Sequence, residues 1–207
     1  MMDQNLLLLF IPTFFAVSIT PGMCMTLAMT LGMTIGIRRS LWMMCGELIG
    51  VGLVALSALI GVATLLLARP QLFLLLKYLG GLYLLYLGVQ MWRSRGKMAI
   101  PETPVEQQSI KRTALISQGF ITAIANPKGW AFMISLLPPF INPNTTLLPQ
   151  AVQLIAIILC FEFICMLLYA TGGKTLRHLL QKQSSVKLLN RIAGSMMMLV
   201  AVWLVMS

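Results

Sequence analysis

An all-α integral membrane fold is predicted, with six transmembrane helices arranged as two inverted three-helix repeats. Three observations predict it. The chain is 58% hydrophobic and 10% charged, with a mean hydropathy of +0.89, whereas soluble domains run at roughly 45–50% apolar and about 25% charged. Six stretches reach about 20 mainly apolar residues, the length that crosses ~30 Å of hydrocarbon. Two of them are interrupted near the middle by a triplet centred on proline, Thr20-Pro21-Gly22 in the first and Asn126-Pro127-Lys128 in the fourth.

The first span is read at 6–34. Its leader carries Asp3 and no Lys or Arg, so the segment is expected to be retained although Ala16-Val17-Ser18 resembles a cleavage site. Pro21 has no N–H and displaces the carbonyl four residues earlier, that of Val17, which lipid cannot satisfy. The second span, 41–67, carries Gly46-x-x-x-Gly50 on one face, as Gly32-x-x-x-Gly36 does at the end of the first. Such spacing permits close backbone approach, and with it a homodimer, without demanding one. The third span is 72–92, with Lys77 near its outer end, placed to snorkel to the headgroups. The fourth, 114–141, repeats the break, Pro127 freeing the carbonyl of Ala123. Spans 148–172 and 188–206 complete the set.

The longest connections, 93–113 and 173–187, are too short for a soluble domain, so residues 1–207 form one membrane domain. Its half-repeats run from about 1–92 and 114–207, joined by a cytoplasmic linker, 93–113. Three spans per half is an odd number, so the halves must have opposite orientations. Ala16-Val17-Ser18-Ile19-Thr20-Pro21-Gly22 then aligns with Thr122-Ala123-Ile124-Ala125-Asn126-Pro127-Lys128. Unwound segments in matching places of two halves point to a transporter's midplane substrate site, with one half rocking against the other.

Charge sets the orientation. Arg38 and Arg39 follow the first span; Arg93, Arg95, Lys97, Lys111 and Arg112 the third; Lys174, Arg177, Lys182, Lys187 and Arg191 the fifth. These twelve of the fifteen Lys and Arg fall in alternate loops, which the positive-inside rule assigns to the cytoplasm. Both termini then face the periplasm. The net charge of +10 is read as a topology signal with anionic lipids as neighbours. The basic residues form no stripe, so nucleic-acid binding is not expected. Trp42, Trp92 and Trp203 fall near span ends, where indoles prefer the headgroup level. Trp130 falls near mid-membrane, either lining a cavity or packed on a neighbouring helix.

Charge at membrane depth costs roughly 2.5–3.5 kcal/mol per residue, so Glu47, Lys128 and Glu162 call for a task. Lys128 and Glu162 fall at similar depth, where a structural ion pair is one reading. In the other, Lys128 and free backbone N–H groups receive a substrate carboxylate while Glu162 takes an amine or a coupling proton. Glu47 suits a gate or proton entry unless Arg38 or Arg39 pairs with it. The expected substrate-binding set is Thr20, Pro21, Gly22, Asn126, Pro127, Lys128 and Trp130, with Glu47 and Glu162 for proton coupling or gating.

No cofactor or metal is expected. Cys24, Cys45, Cys160 and Cys165 all lie in apolar spans without a Cys-x-x-Cys pair and read as small buried hydrophobes; His178 stands in a basic loop. With no His-Glu-x-x-His motif and no Asp in the spans, an enzyme is not expected. No Gly-rich phosphate loop supplies ATP drive. The alternatives are a non-transporting membrane subunit, or an exporter of another small solute or cation.

Thr20-Pro21-Gly22, Gly36-Ile37-Arg38-Arg39, Gly46-x-x-x-Gly50 and Asn126-Pro127-Lys128, in that order along six spans, resemble the LysE/RhtB family of bacterial amino-acid exporters, over the whole chain. The resemblance implies efflux of amino acids or their derivatives across the inner membrane, driven by proton exchange. Two departures stand out. Met23 and Cys24 replace the Pro-Asn that commonly follows Thr-Pro-Gly, and Val51 stands where many members carry Asp, with Glu47 one helical turn earlier.

Overall fold

The computed structural model of the protein describes residues 4–68, 70–94, 110–137, 140–142 and 145–206. Asp3, Arg95, Lys97 and most of the predicted linker 93–113 lie outside them, as do the side chains of Lys77, Lys174, Arg177 and Trp203. Within the described residues the chain forms eight helices and no strand: α1 (Gln4–Ser18), α2 (Met23–Thr34), α3 (Ile37–Ala68), α4 (Pro70–Arg93), α5 (Arg112–Ile124), α6 (Pro127–Leu136), α7 (Leu147–Gln181) and α8 (Gln183–Met206). Stretches of α3, α7 and α8 are long and apolar enough to cross a membrane, and Leu7–Ser18 with Met23–Thr34, bent by 57° at their break, make a fourth such unit.

Both breaks fall where the sequence places them, and their helix starts differ. At the second, Asn126 is the N-cap of α6 with Pro127 in the first turn, and its Oδ1 accepts from the Lys128 backbone N–H at 3.1 Å. That is the preferred helix start, because proline's missing donor would be unpaired there anyway. At the first, Gly22 is the N-cap of α2 with extended backbone and no side-chain cap.

Two expectations need correction. The loop 173–187 is mostly helix, because α7 runs through to Gln181 and α8 starts at Gln183; Lys, Arg, Leu and Gln are good helix formers, and nothing in 174–181 stops them. Gly36 does not share a helix face with Gly32, since α2 ends at Thr34 and Gly36 makes the turn into α3 with φ +82, a left-handed conformation that glycine adopts at little cost.

The other small residues carry the helix crossings. A methyl group on Gly46 would overlap the Ile116 carbonyl, and one on Gly119 the Met43 carbonyl, so α3 and α5 run side by side with their backbones in contact. Gly32 meets Ala170 between α2 and α7 in the same way, and Gly88 meets Gly194 between α4 and α8. The α4–α8 seam also carries Trp92 Nε1 donating to Ser195 Oγ at 2.9 Å, with Arg191 stacked 4.9 Å from the same indole. Arg112 stacks 5.2 Å from Trp42 across the α3–α5 seam.

Two apolar clusters result. One gathers Phe10, Phe14, Phe140, Leu154 and Met197; the other is rich in methionine, with Met25, Met29, Met43, Met44 and Met166. Leu53, Leu56, Leu79, Leu82 and Leu199 are exposed on the outer surface, a face suited to lipid. Cys24 and Cys165 are buried as expected, but Cys45 and Cys160 are exposed.

Candidate functional site

A cavity of about 50 Å³ lies where the two clusters meet. A single water needs roughly 10–15 Å³ by this measure, so the space holds a few waters and must widen for a larger solute. Both breaks contribute to its wall: Ser18, Thr20, Gly22 and Cys24 from the first, Ala123, Asn126, Lys128 and Gly129 from the second. Glu47 and Val51 reach it from α3 and Glu162 from α7; Phe14, Phe132 and Met133 supply apolar wall.

The carbonyl freed by Pro21 is accounted for. Val17 O accepts from Thr20 N at 3.2 Å, from Thr20 Oγ1 at 2.5 Å and from Lys128 Nζ at 3.2 Å. Lys128 Nζ also donates to Thr20 Oγ1 at 2.7 Å and to Thr20 O at 3.4 Å. The ammonium of α6 therefore ties the second break to the first. Ile19 O accepts from the Tyr169 hydroxyl of α7 at 2.8 Å. At the second break, Ala123 O accepts from Asn126 N at 3.3 Å, and Ile124 O from Trp130 Nε1 at 2.9 Å. Each break thus has one carbonyl capped by an aromatic side chain, which answers the lack of water at that depth.

The two carboxylates stand in different surroundings. Glu162 is half-buried and accepts from Ser18 Oγ at 2.9 Å through Oε1. Glu47 is 0% exposed, and among the described residues its oxygens are faced by no donor stronger than the thiol of Cys24. The polar side chains that face it are Cys24 and Glu162. Arg38 and Arg39 do not reach it; they stand exposed at the start of α3, in a second depression with Trp42 and Arg112.

Of the residues singled out in the sequence, Thr20, Gly22, Asn126, Lys128, Glu47 and Glu162 meet at this one cavity. Pro21 and Pro127 shape the breaks behind it, and Trp130 packs against the Phe10 cluster outside the cavity wall. Lys128 and Glu162 line the same space, but each takes its hydrogen bonds from the first break. Three residues escaped the sequence reading: Ser18, which holds Glu162; Tyr169; and Cys24, which accepts from Asn126 Nδ2 at 3.6 Å. Ser18 adjoins the first triplet and was within reach of that argument. Nothing in the sequence marks Tyr169. Chemically, the site offers one ammonium, two carboxylates and an amide around a small volume; no group of three His, Cys, Asp or Glu among the described residues is placed to hold a metal ion.

The sequence is similar to several known proteins. The family model described as LysE type translocator matches residues 15–207. An uncharacterised membrane protein of Vibrio cholerae is 28% identical over 95% of each chain. The homoserine/homoserine lactone efflux protein of Salmonella typhi is 31% identical over 73% of this chain and 72% of its own. An uncharacterised membrane protein of Pseudomonas aeruginosa is 37% identical over 48% of this chain and 47% of its own. No solved structure matches.

Proposed function

The chain belongs to the LysE type translocator family, transporters and not enzymes, and on that premise we propose that it exports amino acids or amino-acid derivatives across the bacterial inner membrane in exchange for protons. The observation that carries the reading is the shared cavity: two proline-broken segments, more than a hundred residues apart, line one small space with charged groups in a largely apolar wall, bridged by Lys128. Helix breaks are tolerated at membrane depth where they line such a space, and paired breaks are where transporters bind their solutes. The name of the Salmonella relative, which specifies homoserine and its lactone, supports a small amino acid or derivative as cargo.

In this reading α1–α2, α3, α4, α5–α6, α7 and α8 make six crossings in two inverted halves, with both termini in the periplasm. The packing supports it in part: α2 packs on α7 as α6 does on α3, and α5 packs on α3 as α1 does on α7. Exchanging the halves maps these contacts onto one another, whereas α4–α6, α1–α8 and α2–α3 have no counterpart of similar extent. Thr20, Gly22, Asn126 and Lys128 surround the solute, and Glu47 and Glu162 carry the exchanged proton.

The test is counterflow in liposomes containing the purified chain, with radiolabelled neutral, basic and hydroxy amino acids. Flux of one class that vanishes in Lys128→Ala, with the variant still inserted and monodisperse, is the expected result. Absence of flux for every amino acid and derivative from well-folded protein would overturn the proposal.

A further inference from the structure

A hydrogen-bond account of the cavity narrows the solute, given the exporter reading above. An ammonium has three donors, and Lys128 Nζ has three acceptors at the first break: Thr20 Oγ1 at 2.7 Å, Val17 O at 3.2 Å and Thr20 O at 3.4 Å. No donor of Lys128 is left for a solute carboxylate. Among the carboxylates, Glu162 is held by Ser18 Oγ at 2.9 Å. Glu47, fully enclosed and lining the same cavity, is faced by one donor among the described residues, the weak thiol of Cys24, and its oxygens have no strong donor. A buried acceptor left unmet is costly, and more so when charged. The open valence of the site is therefore an acceptor for a cation.

We infer that the cavity selects solutes carrying an ammonium and an uncharged second end, amino-acid amides or esters in preference to the zwitterions, and that Glu47 receives the ammonium. With all three groups ionised, Glu47 and Glu162 outnumber Lys128 by one negative charge. A monocation balances it. A zwitterion brings no net charge, and its carboxylate would enter beside two carboxylates with no unused lysine donor to meet it. Cys24 of α2 and Glu162 of α7 are the titratable groups facing Glu47, and neither is a cation that would take the ammonium's place. A proton on Glu47 would occupy the same oxygens as the solute, so the two compete for one acceptor and exchange follows from that competition.

The experiment compares L-threoninamide and L-leucinamide with L-threonine and L-leucine as competitors in proteoliposomes of the full chain. It is run near about pH 6.5, below the ~7.7–8.0 range of an α-amino group next to an amide. The wild type is expected to prefer the amides by about tenfold, the factor carried by one charge-assisted hydrogen bond. Glu47→Gln should lose that preference and Glu47→Asp keep part of it. Equal or better transport of the parent acids overturns the inference and leaves the exporter reading in place, as does an unchanged preference in folded Glu47→Gln. If Glu47→Gln fails to fold, the wild-type preference and Glu47→Asp still decide. Transport of neither form removes the exporter reading and this inference together.

Discussion

Thr20 does two tasks with one hydroxyl: it donates to Val17 O and accepts from Lys128 Nζ. Thr20→Val keeps the shape and removes both, leaving the Val17 carbonyl with fewer donors and the ammonium with one acceptor fewer. The expected cost is about 1–3 kcal/mol of stability, read as a lowered melting temperature in detergent, together with reduced flux. Lys128→Arg should transport no better than Lys128→Ala. A planar guanidinium with five donors in a fixed fork cannot reproduce three converging bonds from a point-like ammonium, and counterflow of the two variants side by side checks it. The charged members of this site were legible in the sequence because a charge at membrane depth is rare and expensive. Cys24 and Tyr169 were not, because uncharged polar residues are ordinary in such helices and their roles depend on partners up to 150 residues away.

Proline alone does not define a break. Pro12 lies inside α1, which continues through it, whereas α1 ends before Pro21 and α5 before Pro127. The difference is what surrounds each proline: Thr20 and Gly22, or Asn126, supply capping groups or an extended backbone where helical bonds are lost. That local chemistry can be read from sequence, which is why both breaks were found. The end of α7 was not, because helix-forming basic residues outside the membrane look the same in a loop and in a helical extension. Glycines divide in a testable way. Gly36→Ala meets no atom within 4 Å but is forced to φ +82, at a cost of roughly 1–2 kcal/mol. Gly46→Ala has ordinary helical backbone but drives a methyl into Ile116 O, and parting the α3–α5 seam should cost at least about 3 kcal/mol. Thermal melting should therefore rank Gly46→Ala well below Gly36→Ala; the reverse order would show that the seam yields more easily than the turn.

At the scale of the molecule, the two halves are interleaved. The most extensive packing joins α3 to α5, α4 to α8 and α2 to α7, each pair drawn from both halves, and each of these seams holds a glycine against backbone. Rocking of one half against the other would have to open all of them, and close-packed backbone contacts do not part in small steps. The breaks at 19–22 and 125–126, where the helical ladder is already interrupted, offer softer hinges. Alternating access is then expected to leave the α4–α8 seam closed. Asn190 Nδ2 donates to Ser94 Oγ at 3.1 Å across that seam, so Ser94→Cys with Asn190→Cys, in a background without the four native cysteines, places two thiols where a disulfide or short cross-linker can join them. Flux from the cross-linked protein should stay close to that of its reduced form. If cross-linking stops flux and reduction restores it, the α4–α8 seam moves during transport and the breaks alone cannot supply the hinge. Persistence of flux would exclude opening of the α4–α8 seam and leave the two breaks, which hold Thr20, Asn126 and Lys128 against the cavity, as the hinges, so that binding and gating would fall to the same two segments.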